Sequence, residues 1–347
     1  MSSIKLKHSG GNAVSISAPD TNPSSDRTVK LPSTDVDGVI TTKDSSDNLQ
    51  AVTGANGTAF SNRNLLINGA HIIWQRATSI AGGSALDNFQ RATDRFWLYS
   101  PSSTSGTVGQ STDAPSGFIY STHNNLDAEC IIGSNVELLK VGSDAPFVNG
   151  ESLTLSFYIK STSARSNVSI AISSRDNAGG TGSVTRATSP TFNTTTSWTR
   201  VEKTFTLTGT VGGSNACLQF QITLAVGDKV TGFQLEKGTV ATAFEHKHVS
   251  VELAACQRYY QIVQGHTRND YRSDNAARTG NNMNYFTEMR VAPSASTKTA
   301  IHNQNMTSVL YERVSKRGLS FTAVGIATTG GTDGQQLTAD VQLEAEL

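Results

Sequence analysis

The side chains able to do chemistry in this chain of 347 residues are few and scattered. There are seven histidines, and only His246 and His248, on either side of Lys247, form a close pair. On a strand both would face one side, but two ligands around a cation fall short of the three or four donors a zinc site uses. The pair reads as exposed or as part of an interface. Cys130, Cys217 and Cys256 are odd in number and widely separated, without the spacing of a metal knuckle or the density of a disulfide framework, and read as free buried thiols. Glycosidase chemistry needs two carboxylates at a defined separation. Glu236, Glu245 and Glu252 lie close in sequence, but their reading is structural: each can accept backbone N–H bonds at a strand end or helix start. Gly-x-Ser-x-Gly, the P-loop and His-Glu-x-x-His are all absent. The expectation is a protein that is not an enzyme and carries no cofactor.

Binding chemistry is better represented. A sugar is held by an aromatic face under its apolar side, with amides or charged groups beside it. In Ser152–Lys160, period-two alternation puts Leu153, Leu155, Phe157 and Ile159 on one face and Tyr158 on the other, so Tyr158 is a candidate platform. Tyr99, Tyr120, Tyr271 and Tyr285 lie in loop-rich surroundings. The polar run from Thr267 to Asn275 reads as a solvated loop or, functionally, as a recognition loop. The candidate ligand-binding residues are therefore Tyr158, Tyr271, Arg268, Asn269 and Arg272. Trp74, Trp97 and Trp198, with apolar neighbours, read as core.

The elements that must position these groups are strands. Ser and Thr make up roughly a quarter of the chain and Gly adds 30 residues, a mixture that favours short strands and turns over long helices. The balance of 28 basic and 28 acidic residues argues against a dedicated nucleic-acid binder, and no stretch approaches the ~18 apolar residues of a membrane span. The N-terminus lacks an apolar signal-peptide core, so synthesis in a cytoplasm is expected. Residues 1–60 hold short alternations: Ile4–Lys7 and Ala13–Ile16 around Ser9–Asn12 read as a hairpin, and Arg27–Pro32 and Gly38–Thr42 as further strands. Such faces are too lean to bury a core alone, which points to completion by identical chains. Residues 61–248 read as an antiparallel sandwich of the jelly-roll type, with Val168–Ile172, Arg200–Leu207 and Cys217–Leu224 among its strands and Ala164–Asn167 as a turn. A short helix follows near 250–260, capped by Ser250. Residues 249–347 read as a small β-domain, with Tyr285–Val291 and Val309–Val314 as strands and a closing strand that buries Val341, Leu343, Ala345 and Leu347 while exposing Gln342, Glu344 and Glu346. The expected class is all-β.

Several segments carry a resemblance. Asn64-Leu65-Leu66-Ile67-Asn68-Gly69, Trp74-Gln75-Arg76 and Thr93-Asp94-Arg95-Phe96-Trp97 resemble the opening of a carbohydrate-binding-module-like jelly roll in phage tail fibers. Gln234-Leu235-Glu236-Lys237-Gly238, Ala241–Glu245 and Glu252–Tyr260 resemble its closing segment. Lys5–Asn12 with Asp26–Pro32 resembles the first segment of fibers in marine tailed phages, and Met289-Arg290 with Ala292-Pro293 a strand of their C-terminal domains. Ala70-His71 stands where the family has an acidic residue and an aromatic, which disfavours a structural calcium, and Ala243 stands where it has proline. The resemblance implies a virion tail fiber or receptor-binding protein, a homotrimer. Residues 1–60 would attach to a tail adaptor or other virion protein, and the distal domains would meet a host glycan or receptor. The alternatives are a capsid-attached fiber or decoration protein and, as an enzyme, a glycan depolymerase, which is usually a longer β-helix with recurring rungs.

Overall fold

The computed structural model describes residues 63–137, 147–175, 183–211, 216–269, 278–304, 306–325 and 335–346, together with four short strands before residue 62. The chain divides into two compact units, Met1–Ser61 and Asn62–Leu347. In the first unit, β1 (Ser3–Lys7) and β2 (Ala13–Ser17) pair antiparallel with Ser3 opposite Ser17, the hairpin read from sequence. β3 (Thr42–Lys43) pairs with β4 (Leu49–Gln50). The strands expected at Arg27–Pro32 and over 38–41 lie outside the described residues.

The second unit opens with twelve strands: β5 (Ser79–Ala81), β6 (Phe96–Tyr99), β7 (Gly106–Ser111), β8 (Ser121–Leu126), β9 (Cys130–Glu137), β10 (Ser152–Lys160), β11 (Arg165–Arg175), β12 (Ser183–Thr185), β13 (Thr191–Thr194), β14 (Thr199–Thr206), β15 (Cys217–Leu224) and β16 (Lys229–Lys237). They form two antiparallel sheets: sheet I in the order β14-β10-β16-β8-β7-β5, and sheet II in the order β12-β11-β15-β9-β6, with β13 also on β11. The chain crosses repeatedly between the sheets, the path of a jelly roll. Alternation makes this work. Leu153, Leu155, Phe157 and Ile159 of β10 face Leu218, Phe220, Ile222 and Leu224 of β15 in one buried cluster, and Phe233 of sheet I reaches Phe220 (5.5 Å) and Phe96 (5.1 Å) of sheet II. At β11 the strand begins at Arg165, inside the expected turn. The register slips between Arg165 and Val168, and Asn167 takes φ 58°, so the turn chemistry marks a bulge.

α1 (Val249–Gln257) is capped by His248, whose Nδ1 accepts from the Ser250 amide at 3.3 Å; the cap is thus two residues before the expected Ser250. The remaining strands are β17 (Tyr260–Asn269), β18 (Arg278–Asn284), β19 (Ser294–Gln304), β20 (Met306–Glu312), β21 (Gly318–Gly325) and β22 (Gln335–Glu344). They form two three-stranded sheets, β17-β22-β19 and β18-β21-β20, around a second core that includes Val263, Phe321, Val341 and Leu343. Tyr285–Val291, expected as strand, is loop: the Met289 amide donates to Lys316 O and the Arg290 amide to Arg258 O, and Met289 is buried from a docked loop instead of a ladder. Sequence separates residues 61–248 from 249–347; in the structure they have separate cores but belong to one compact unit.

A lattice of charges accounts for that union. The Glu346 carboxylate, expected at the surface, is 6% exposed and meets Arg95, Arg76 (3.1 Å) and Arg91 (3.6 Å) of the sandwich. Burial alone would raise its pKa, but the three guanidiniums outweigh burial and hold it at about 2. Arg95 lies over the Tyr259 ring and Arg76 over the Tyr260 ring, at 3.5 and 3.9 Å from their centroids. Among the described residues no helix is long and apolar enough to cross a membrane.

Candidate functional site

The outer face of sheet II is built by register. Gln90 and Leu98 form an antiparallel bridge, exchanging backbone bonds of 2.9 and 2.7 Å. That bridge puts Phe89 opposite Tyr99 and Arg91 opposite Trp97. Because Phe96 and Leu98 point into the core, Trp97 and Tyr99 must point outward, and Phe89 and Arg91 join them. The Phe89 ring is 46% exposed, stacks on Tyr99 (5.0 Å, 23°) and meets Trp97 edge-on (5.1 Å, 88°). Trp97 lies flat across the neighbouring strand because residue 133 is glycine: a Cβ there would come within 2.2 Å of the indole.

Polar side chains continue the surface. Ser173, Gln219 and Asn135 stand directly opposite one another on β11, β15 and β9. Ser173 Oγ donates to Gln219 Oε1 (3.2 Å), Gln219 Nε2 donates to Asn135 Oδ1 (3.0 Å), and Trp97 Nε1 donates to the same oxygen (3.3 Å). This ladder holds the amide and indole planes fixed. The guanidinium of Arg175, on β11, lies over the Phe89 ring at 5.7 Å. Phe89, Arg91, Trp97, Asn135, Arg175 and Gln219 enclose a depression of about 150 Å³. A groove of about 340 Å³, lined by Phe89 and Arg91 too, adjoins it and reaches Tyr260, Lys298 and Glu344 of the C-terminal sheets. The face thus combines aromatic platforms with fixed amide and cationic donors, the equipment for a polyhydroxylated ligand.

The residues singled out from sequence fall elsewhere. Tyr158 is half-buried on the outer face of sheet I, where its ring meets Phe118 (5.3 Å), which in turn packs on Phe244 (4.9 Å) and His246 (5.0 Å). Arg268 is exposed on β17, and the backbone of Asn269 pairs with Gln335. Tyr271 and Arg272 lie outside the described residues. Trp97 is buried, as read, with its ring beneath Phe89 on the outer side of sheet II. Trp198 is half-buried and donates its Nε1 to Asp113 (3.1 Å). Phe89 and Gln219 were not legible as site residues from any motif. Their signal is the symmetry of Phe89-Gln90-Arg91 and Trp97-Leu98-Tyr99 about the turn at Thr93-Asp94.

The structural reading of the three glutamates is borne out. Glu236 accepts from the Thr242 amide (3.0 Å), Glu245 from Asn64 (3.0 Å) and Glu252 from Asn68 (2.8 Å). All three cysteines are free and buried. His71, at the departure from the family pattern, is fully buried between Phe96 and Phe233, with Nδ1 against Thr122 Oγ1 (2.9 Å) and no partner for Nε2. Burial drives its pKa down to about 3, so it is neutral at pH 7. Among the described residues no group of three or more His, Cys, Asp or Glu side chains could hold a metal ion.

Residues 87–227, which include every residue named on the outer face of sheet II, match a family described as "Carbohydrate binding domain". Solved structures similar to the chain include the CBM22-1 xylan-binding domain from Paenibacillus barcinonensis, at 11% identity over 53% of this chain and 100% of that one, with a TM-score of 0.29. TmCBM61 in complex with beta-1,4-galactotriose is similar at 13% identity over 51% and 100%, with a TM-score of 0.26. The enzymatically active domain of tailspike protein 4 from bacteriophage CBA120 is similar at 16% identity over 51% of this chain and 22% of that one, with a TM-score of 0.29. No curated protein matches the sequence.

Proposed function

We propose that this protein binds glycan without cleaving it, on the outer face of sheet II, and that it does so as a homotrimeric tail fiber or receptor-binding protein of a phage virion. The observation that carries the glycan reading is the Phe89–Tyr99 stack beside the Ser173–Gln219–Asn135 ladder, within residues that match a carbohydrate binding domain. The exposed Phe89 face offers a platform for an apolar sugar face, and the ladder offers fixed partners for hydroxyls. The site is shallow, and single contacts to a sugar are weak, so three copies on one fiber supply affinity by avidity. The fiber reading is supported by the resemblance of residues 5–12, 26–32, 64–69, 74–76, 93–97, 234–238, 241–245 and 252–260 to phage fiber segments. In this reading residues 1–60 attach to the virion.

A glycan array probed with the whole protein and with Phe89→Ala tests the first part. The expected result is binding to a defined set of glycans, lost in the variant; binding that survives removal of Phe89 moves the site away from this face. Solution mass and electron microscopy of labelled virions test the second. A trimer located at the tail is expected, a monomer at micromolar concentration refutes the oligomer, and label on the capsid shell favours a capsid-attached fiber.

A further inference from the structure

The charges around the depression are one-sided. Arg91 and Arg175 both line it, and no carboxylate does; Glu344 is the one carboxylate lining the adjoining groove, against Arg76, Arg91 and Lys298. Most of these cations have occupations. Arg76 pairs with Asp94 (3.0 Å) and Glu346, and Lys298 donates to the carbonyls of Gln75 and Arg76 at 3.3 and 3.2 Å. Arg91 and Arg175 differ. Among the described residues Arg175 forms no ion pair, and its guanidinium lies over the Phe89 ring. Among the described residues Arg91 has one carboxylate within 4 Å, Glu346 at 3.6 Å from its Nε, too far for a hydrogen bond, and that Nε has no hydrogen-bond partner. Glu346 is already engaged by Arg95 and by Arg76. Arg91 and Arg175 thus flank one exposed aromatic face with hydrogen-bonding capacity that the described protein does not fill. Guanidinium forks match planar carboxylates and sulfates better than they match hydroxyls.

We infer that the glycan taken by this face is anionic, a pyranose carrying a carboxylate or sulfate that Arg91 and Arg175 engage while the ring lies on Phe89. This rests on the glycan reading given above and adds the substrate class to it. The groove extends the same path onto the C-terminal sheets, where Lys298 offers a further cation to the next sugar. A chain of acidic sugars would therefore span the junction between the sandwich and those sheets.

The test uses the full-length protein and three kinds of probe: uronate oligomers (galacturonate, glucuronate and mannuronate), their neutral methyl esters, and sulfated dextran oligomers beside plain dextran. Titration calorimetry gives affinity, and the Trp97 indole N–H resonance reports whether the ligand sits on this face. The expected result is that at least one acidic probe shifts that resonance and binds roughly tenfold or more tighter than its neutral counterpart at about 20 mM salt, a preference that shrinks near 200 mM. Arg175→Gln should abolish the preference for the acidic probe over its neutral counterpart, and Arg91→Gln should reproduce this. Uronates and sulfated sugars are told apart by which pair shows the preference. Equal binding of charged and neutral probes, or a preference that Arg175→Gln leaves intact, overturns the anionic proposal and spares the glycan reading. Failure of every probe, charged and neutral, to move the Trp97 resonance overturns both.

Discussion

Replacing His71 by asparagine should remove a large part of the protein's sensitivity to mild acid. The imidazole is fully buried between two phenylalanine rings, and its Nε2 faces no acceptor, so a proton placed there would bring an unpaired charge into the core. Its folded pKa of about 3 lies below the unfolded value of 6.5. The unfolded state therefore binds more protons throughout that window, and stability falls as pH falls. The contribution is fully present above pH 6.5; about 2 kcal/mol is gone at about pH 5, and just under ~5 kcal/mol once pH passes below about 3. Asp94 works in the opposite direction. Burial raises its pKa to about 6 despite Arg76 and the Gln75 amide, so it favours the folded state as acid is added. The net slope of the wild type mixes the two, and the difference between wild type and variant isolates His71. Residue 71 has φ 52°, a conformation asparagine tolerates well. Urea unfolding at pH 7 and 5 should show His71→Asn losing about 2 kcal/mol less than wild type between the two. Parallel losses would refute the argument, as would a wild-type His71 resonance that titrates near pH 6.

Three further outcomes follow from the geometry. Phe89→Ala should weaken glycan binding by roughly 30-fold or more, ~2 kcal/mol, with a smaller effect on the urea midpoint, because nearly half of Phe89 is exposed; calorimetry beside unfolding separates the two. Gly133→Ala should destabilise by about 1–3 kcal/mol and displace the Trp97 indole, seen as a changed indole resonance and lost binding, since the new Cβ meets the ring at 2.2 Å. Glu346→Gln leaves Arg91 and Arg95 buried without their carboxylate and should cost about 3–5 kcal/mol, with hydrogen exchange rising first in β22 and α1. The Glu346 contribution has a lowered folded pKa, so it is present above the ordinary glutamate value of 4.5 and lost as pH falls toward 2.

Much of the sandwich is legible in the sequence because its strands bury one face each. In β10 and β15 the apolar side chains recur at every second residue, and the structure buries those same residues. The glutamates are legible because a carboxylate near a strand end has backbone amides within reach. Tyr285–Val291 fails because β-forming composition cannot distinguish a strand from a loop that docks one methionine. Glu346 fails because alternation assumes water on the polar side of a closing strand, and here three arginines from another part of the chain occupy that side. The binding face fails for a related reason. Its aromatic pair is assembled by one bridge, Gln90 to Leu98, and its amide ladder by three strands up to 84 residues apart, so the contacts are set by register and not by local pattern.

The ties between the first and last segments of the sandwich also determine how it would carry load. Leu65 bonds to Leu235, the Asn64 amide to Glu245, Arg63 to the Ala243 carbonyl, and Asn68 to Glu252. A pull applied between residue 63 and the start of α1 enters and leaves at this clamp, which touches sheet I only at β16, through Leu235. The clamp would shear first, and sheet II, which carries the Phe89 face, lies off that path.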